Sequence, residues 1–261
     1  MSSVIGLAIP ARVVGDHFVA ALVHALAGPL IESGSSLLTS VVDDDVAEER
    51  VYRHWAQIGG VSGVALLGVQ QDDPRIALLR ALDLPFAGVV AAENFGDYPA
   101  VVVDASASVD ALRAFFTRHE YDRVVYFSDA DAALTSNARA AAIGDHFHIA
   151  RFESGAGDVV DAALATIADG PATLLFDSDV DAAAAMQACV DRGLRIPEDV
   201  SIVSWTESVL CQSTTPSITA VNRRGREIGA MLGTSVLEAV AGDRDMRHFA
   251  PSPFVVVRES A

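Results

Sequence analysis

Apolar positions along the chain follow two patterns that alternate at short intervals. Residues 4–9 and 63–68 form short apolar runs, which are typical of strands buried on both faces of a sheet. In residues 17–33 the large apolar side chains recur every four positions, which is typical of a helix with one buried face. Because the strand and helix patterns alternate, we predict an α/β fold built from doubly wound parallel sheets.

The alternation runs through the chain twice. The first series has predicted strands at 4–9, 36–42, 63–68, 86–91 and 100–103, and helices at 17–33, 46–58 and 74–82. The second has predicted helices at 109–119, 135–143, 157–168 and 180–191, and strands at 123–127, 147–152, 173–176 and 200–203. An extended segment at 217–221, a helix at 226–241 and a closing strand at 254–260 complete the prediction.

The most informative stretch is residues 193–221, which read GLRIPEDVSIVSWTESVLCQSTTPSITAV and are followed eight residues later by Gly229. Gly193 ends a predicted helix, and residues 200–203 form a buried strand that leads into a polar loop. This ordered series resembles the effector-binding domain of the LacI/GalR family of transcription regulators, which has the type I periplasmic-binding-protein fold. The resemblance covers nearly all of the chain.

The resemblance implies two doubly wound parallel-sheet lobes with a ligand cleft between them. We expect an N-terminal lobe from residues 1–105 plus 222–245, and a C-terminal lobe from residues 106–221 plus 246–261. Family members also carry an N-terminal helix-turn-helix headpiece and a hinge helix. Since the first predicted strand begins at residue 4, we expect both to be absent, either because the chain is cut to its regulatory domain or because it is a natural stand-alone binding domain.

The composition of the chain limits the kinds of molecule that it can bind. Its 261 residues are 51% hydrophobic, which is enough for a large core. The formal net charge is −17, and all 18 basic residues are Arg. So acidic a chain is a poor nucleic-acid binder by itself, because phosphate contacts need clustered Lys and Arg. We therefore expect operator DNA to be bound only through a headpiece that this chain does not contain.

Catalytic and metal-binding motifs are absent from the sequence. There is no G-x-S-x-G, phosphate-loop or H-E-x-x-H motif, so we expect neither an enzyme nor a cofactor. His146 and His148 alone are a weak metal signal, and the DSDVD run at 177–181 lacks the later ligands of a calcium loop. Without a signal peptide or a membrane-length apolar run, we expect a cytoplasmic protein. This expectation disfavours the alternative function, a solute receptor of a transport system.

The resemblance implies effector-binding residues at the carboxyl ends of the second-lobe strands. Thr135 and Arg139 match the family's Ser/Thr and Arg on the first helix of that lobe, and a guanidinium offers paired donors to hydroxyls or anions. Ser178 and Asp179 stand where the family has Asn-Asp. Competing interpretations are a surface role for Arg139 and a helix N-cap role for Asp179.

Four further positions complete the predicted effector site. Trp205 and Thr206 stand where the family has an aromatic residue followed by Asp, and Arg223 follows the T-A-V strand. Phe18 matches an aromatic residue of the first lobe that stacks on ligands, with core packing as the competing interpretation. Leu67 and Val90 stand where sugar-binding relatives often have polar groups, which favours a less hydroxylated or an anionic effector.

The resemblance also implies a mode of action. A small-molecule effector shifts an equilibrium between lobe arrangements, and attached headpieces gain or lose their operator geometry. Family members dimerise through this domain, so we expect a homodimer with no membrane contact. Apolar positions of helix 76–82 are candidates for the dimer contact, with core packing as the competing interpretation.

Overall fold

A computed structural model describes residues 3–94, 96–104, 106–129, 148–152, 156–243 and 246–261. Contacts between residues divide the chain into two compact units. Unit 1 comprises Met1–Ala105 and Arg224–Ser252, and unit 2 comprises Ser106–Arg223 and Pro253–Ala261. The chain therefore changes unit after residues 105, 223 and 252.

Strands and helices alternate through both units. In chain order the described elements are β1 (Val4–Pro10), α1 (His17–Glu32), β2 (Ser36–Val42), α2 (Asp45–Ile58), β3 (Gly63–Val69), α3 (Pro74–Ala81), β4 (Phe86–Ala91), β5 (Ala100–Val103), α4 (Ala107–Arg118), β6 (Val124–Asp129), β7 (His148–Phe152), α5 (Ala156–Ala168), β8 (Ala172–Phe176), α6 (Asp179–Asp191), β9 (Val200–Ser204), α7 (Val209–Ser213), β10 (Thr219–Asn222), α8 (Gly225–Ala241), β11 (Arg247–Phe249) and β12 (Phe254–Val256).

The described strands form one six-stranded sheet in each unit, and the two sheets have equivalent strand orders. The first sheet runs β11-β5-β4-β3-β1-β2, and the second runs β12-β10-β9-β8-β6-β7. All described pairings are parallel except that of β12 with β10. The predicted fold class is confirmed. Since parallel strands end on the same side, each sheet has one carboxyl end, where open α/β sheets place their ligand groups.

Apolar side chains cover both faces of each sheet. In unit 1, one cluster joins the sheet to α2 and α3, and a second joins it to α1 and α8. In unit 2, α5 and α6 pack on one cluster and α4 on another. Strands buried on both faces explain why their sequences read as continuous apolar runs rather than as alternating ones.

Two short elements depart from the sequence prediction. Residues 246–261 were expected in the second lobe, but Arg247–Phe249 pairs with β5 as an edge strand of the first sheet. This three-residue strand is too short for a hydrophobic pattern to reveal it. Likewise, α7 occupies part of a stretch expected to be a loop. The predicted helix at 135–143 lies outside the described residues.

The apolar face of α3 that was a candidate for dimer contact packs against the core of unit 1. Leu79 is fully buried, and Ile76, Leu78 and Leu82 pack against the same cluster as α2. Core packing, the competing interpretation, therefore accounts for Leu79 and for part of the half-buried Ile76, Leu78 and Leu82.

Helices α1 and α8 approach closely because glycine recurs every fourth residue along α8. The α1 atoms nearest to these glycines belong to Phe18, Leu22 and Leu26, which are also four positions apart. A Cβ at Gly233 would lie 2.6 Å from the carbonyl oxygen of Leu26, and one at Gly229 would overlap the carbonyl of Leu22. Glycine at these positions therefore sets the distance between the helices.

Candidate functional site

Polar residues follow three neighbouring strands at the carboxyl end of the second sheet. Asp177 and Ser178 follow β8, residues 205–208 follow β9, and Arg223 follows β10. Because β8, β9 and β10 are adjacent and β8 and β10 both run parallel to β9, these groups emerge on one side of the sheet. The strand order thus gathers residues that are far apart in the sequence.

A hydrogen-bond chain connects these strand ends. The Nη2 atom of Arg223 donates to Thr206 Oγ1 at 3.1 Å, and Thr206 Oγ1 donates to the Asp177 carbonyl oxygen at 3.4 Å. Thr206 is buried, and its hydroxyl acts as acceptor and donor at once. Two of the predicted site residues, Thr206 and Arg223, are therefore in direct contact.

Ser178 and Asp179 have different roles at the start of α6. Ser178 is the N-cap, since its hydroxyl accepts from the backbone N–H groups of Val180 and Asp181. Asp179 was weighed as an N-cap, but its buried carboxylate accepts instead from the Ser208 hydroxyl at 2.5 Å. This bond ties the loop after β9 to the first turn of α6.

The loop after β9 is held by further contacts around Ser208 and Cys211. Ser208 caps α7, because its hydroxyl accepts from the Cys211 backbone N–H at 3.3 Å. The Cys211 thiol donates to the Thr206 carbonyl oxygen at 3.4 Å. Burial raises the pKa of the Cys211 thiol, so the sulfur is not a thiolate nucleophile at neutral pH.

Glu207 forms a largely buried ion pair with Arg258. Both guanidinium Nη atoms of Arg258 donate to its carboxylate, at 2.8 and 2.5 Å, and Gln212 donates to it at 2.8 Å. Arg258 also donates to the Ile218 carbonyl oxygen. The carboxylate that follows Thr206 in the sequence therefore joins the loop to the C-terminal segment.

Trp205 lies in the core of unit 2. It is 2% exposed, and its ring is 6.0 Å from that of Tyr126, in a cluster with Val203 and Val221. The ring therefore contributes to packing beneath the loop, while the next residue, Thr206, makes the polar contacts.

Phe18 belongs to unit 1 and is the second residue of α1. Its backbone N–H donates to the N-cap residue Asp16 at 2.7 Å, which fixes the first turn of the helix. The half-buried ring packs beside Gly225, where an added Cβ would lie 2.9 Å from Phe18 Cδ2. Core packing thus accounts for part of this side chain.

Thr135 and Arg139 lie outside the described residues. Within the described ranges, no three His, Cys, Asp or Glu side chains are grouped to hold a metal ion. Among the described helices, none combines the length and the apolar character needed to cross a membrane.

The sequence did not reveal three residues that organise this site. Ser208 carried a usable signal, since a serine ahead of an apolar turn is typical of an N-cap. Asp177 contributes through its carbonyl group, which any residue has. Arg258 lies 51 positions from Glu207, so no local pattern predicts their ion pair.

Comparison with known proteins identifies relatives over much of the chain. The model of a family described as a periplasmic binding protein-like domain matches residues 110–261. The transcriptional repressor PurR of Aliivibrio fischeri is 32% identical over 133 residues, which cover 50% of this chain and 38% of that repressor. The match thus spans well under half the length of this curated relative.

Solved structures show the same fold along the whole chain. A LacI family transcriptional regulator from Bifidobacterium animalis subsp. lactis superposes with a TM-score of 0.84 and 23% identity, covering 99% of this chain and 97% of that one. A periplasmic binding protein/LacI transcriptional regulator from Alkaliphilus metalliredigens, complexed with D-xylulofuranose, has a TM-score of 0.75 and 15% identity, covering 100% and 99%.

Proposed function

Because the chain belongs to the family of periplasmic binding protein-like domains, we propose that it is the effector-sensing domain of a LacI-type transcription regulator. The family match confirms the resemblance drawn from residues 193–229. The relatives found are transcription regulators rather than enzymes, which supports a sensing role without catalysis. The effector is a sugar or a related small metabolite.

The chain of hydrogen bonds from Arg223 through Thr206 to Asp177 carries this proposal. It lies at the carboxyl end of a parallel sheet, the usual ligand position in this architecture. The Arg223 guanidinium donates to the Thr206 hydroxyl, and its planar set of N–H donors suits the hydroxyl, carboxylate or phosphate oxygens of a polar effector. Ser178 and Asp179 are proposed to contribute from the start of α6, and Thr135 and Arg139 are proposed to complete the polar contacts to the effector.

The two aromatic residues of the predicted site, Trp205 and Phe18, are proposed to have different roles. Trp205 is 2% exposed, so its part is to support the loop rather than to present a ring to the effector. Phe18 is half-buried in unit 1 and remains the proposed stacking residue. The D-xylulofuranose bound by the Alkaliphilus protein supports a sugar-like effector here.

Effector binding is proposed to act by population shift. A ligand changes an equilibrium between conformations only by its differential affinity for them. The DNA-binding segment that responds to this shift is proposed to lie outside the residues of this chain. The acidic net charge of −17 agrees with this, because DNA phosphates repel an acidic surface.

The regulator is proposed to act as a homodimer. In unit 1, β2 is an edge strand with Leu38 and Val41 exposed, which suits pairing with a second copy. Light scattering on the purified chain is expected to give twice the monomer mass. A monomer at all concentrations would contradict the dimer.

A thermal-shift screen tests the sensing function. The panel is D-xylulose, D-ribose, cellobiose, sugar phosphates, nucleosides and small acids. A compound that binds only the folded state stabilises it by about 2.7 kcal/mol at a concentration of one hundred times Kd, so Tm rises. We expect at least one compound to raise Tm, and Arg223→Gln to abolish that rise.

Arg195→Gln is the matched control, because Arg195 forms an exposed ion pair with Asp199 in the same unit. It is expected to keep the full ligand-induced shift. If no compound raises Tm of the folded protein, or if Arg223→Gln responds like Arg195→Gln, the proposed site is wrong.

A further inference from the structure

The carboxyl end of the first sheet contains an irregular strand end that needs hydrogen-bond donors. Leu66 pairs with Gly88, but the next pair joins Val69 to Val90, so β3 holds one residue more than β4. Gly68 has a φ of 57°, in the left-handed region that suits glycine. Such a bulge interrupts the ladder and redirects the strand end.

The Arg75 guanidinium supplies donors to this bulge. Its Nη2 atom donates to the carbonyl oxygens of Leu67 and Gly68, at 3.3 and 3.4 Å. The same side chain forms a two-point contact with Asp73, from Nε at 2.9 Å and from Nη2 at 2.6 Å. Asp73 in turn accepts from the Gln70 backbone N–H at 3.1 Å, so both ends of the turn 70–73 are fixed.

Helix α2 provides the anchor for this guanidinium. Glu48 is 5% exposed and accepts from Arg75 Nη1 at 3.2 Å. The fully buried Tyr52, one turn along α2, donates its hydroxyl to the same Glu48 oxygen. Two buried carboxylates and a tyrosine therefore hold one arginine against the strand end.

Protonation states support the arrangement. Burial by itself raises the pKa of Asp73, but hydrogen bonds and charge from Arg75 outweigh it, so the pKa lies below 3.8. Burial and the Glu48 charge raise the pKa of Tyr52 well above 10.0, so its hydroxyl stays a donor. At neutral pH Asp73 is therefore a carboxylate that accepts from Arg75, and Tyr52 is a neutral hydroxyl that donates to Glu48.

We propose that Arg75 is a positioning residue, which fixes the loop 68–73 at the carboxyl end of the first sheet in the conformation that contacts the effector. The effector contact in this inference rests on the proposed function. The fixing of the loop rests only on the hydrogen bonds of Arg75 and Asp73 described above. The Arg75 side chain donates to the Leu67 and Gly68 carbonyl oxygens. It also donates to both carboxylate oxygens of Asp73 and to the Glu48 carboxylate. A lysine, with three donors on one nitrogen, cannot reproduce these directions.

Amide hydrogen exchange, followed by mass spectrometry on the full chain, tests the fixing of the loop. In Arg75→Lys, exchange in residues 67–73 is expected to be roughly tenfold to hundredfold faster, as loss of a charge-assisted hydrogen bond predicts. Exchange in β4 and β5 is expected to stay at the wild-type rate. Glu48→Gln, which retains the Asp73 contact, is expected to give a smaller local increase and serves if Arg75→Lys fails to fold.

Arg53→Lys is the matched control, since Arg53 forms an exposed ion pair with Glu49 on α2. It is expected to change no exchange rate. Unchanged exchange at 67–73 in Arg75→Lys and Glu48→Gln, or equal acceleration throughout unit 1, would overturn the positioning role.

Binding tests the effector contact separately. The affinity for D-xylulose, or for the panel compound that raises wild-type Tm most, is expected to fall at least roughly tenfold in Arg75→Lys. Faster loop exchange with unchanged affinity would overturn the effector contact. If no compound binds the wild type, the proposed function fails, and the exchange result still decides whether Arg75 positions the loop.

Discussion

The two units share a strand order but stabilise the carboxyl ends of their sheets with different chemistry. Unit 1 uses a buried ionic network, in which Arg75 joins Glu48 and Asp73. Unit 2 uses a hydroxyl, since Thr206 connects Arg223 to the backbone after β8, and an ion pair between Glu207 and Arg258 beside it. A shared topology therefore fixes where polar groups gather, and the side chains decide what those groups do.

The units also differ in what holds the rest of each structure together. Unit 1 depends on close contact between α1 and α8, made possible by glycine. Unit 2 depends on its last residues: Ser260 accepts from the Thr219 N–H at 2.8 Å and donates to the Ile202 carbonyl oxygen, so it bridges β9 and β10. Substitutions at each place should destabilise one unit first.

The largest expected effect is in unit 1. Gly229→Ala adds a methyl group that overlaps the Leu22 carbonyl, so the helices must separate, at a cost of about 3 kcal/mol or more in the free energy of unfolding. Urea denaturation measures it. Gly15→Ala, just before α1 and with open space around the added Cβ, is the control and should stay within about 0.5 kcal/mol of the wild type. Equal effects of the two variants would refute the close-packing account.

A smaller effect is expected in unit 2. Ser260→Ala leaves the buried Thr219 N–H without its hydroxyl acceptor, which costs about 2 kcal/mol. Ser213→Ala, which removes one exposed hydrogen bond to Leu210, should stay within about 0.5 kcal/mol of the wild type. Urea midpoints again provide the measurement, and a Ser260→Ala variant as stable as Ser213→Ala would show that the bridge is unimportant.

The smallest expected effects concern acid and salt. Asp73 in unit 1 and Asp199 in unit 2 both have a lowered pKa, about 2 for the partly exposed Asp199, which accepts hydrogen bonds from the exposed Arg195. A carboxyl with a lower pKa when folded stabilises the protein above its unfolded pKa, and this stability is lost as pH falls through the folded pKa. Stability should therefore decrease below about pH 4.

Asn substitutions separate the two carboxyls. In Asp73→Asn, the decrease in stability between neutral and acid pH should be smaller than in the wild type. The difference should be similar in low and high salt, because salt screens the buried Asp73–Arg75 pair only weakly. Asp199→Asn should have an effect only in low salt. Urea midpoints at neutral and acid pH, in both salt conditions, test this. If the two variants show the same salt dependence, burial is not what distinguishes them.

Much of the fold was predictable from local pattern. Strands 36–42, 86–91 and 100–103 have the bounds that the sequence predicts, because each is a β-branched or apolar run that ends at polar or turn residues. The bounds of β11 and α7 were not predictable. Each has five residues or fewer, and its conformation is decided by a neighbouring strand or by a capping serine.

The candidate site was predictable only in part. Thr206 and Arg223 were both singled out, and the structure shows them in contact. Trp205 was singled out with them, but it lies in the core. Successive residues beyond the end of a buried strand point in different directions, so Trp205 and Thr206 have different surroundings. Val90, expected at a ligand position, is likewise 1% exposed within an apolar cluster.

The sequence by itself determined the fold class, the family and most of the helices and strands, because these depend on periodicity and on residues close together in the chain. Part of the unit 1 network is also local, with Glu48 four residues from Tyr52 and Asp73 two from Arg75. Only the tertiary structure joined those pairs, across 27 positions, and Arg258 to Glu207, across 51. Such contacts depend on strand order and burial, which bring together residues that no local pattern links.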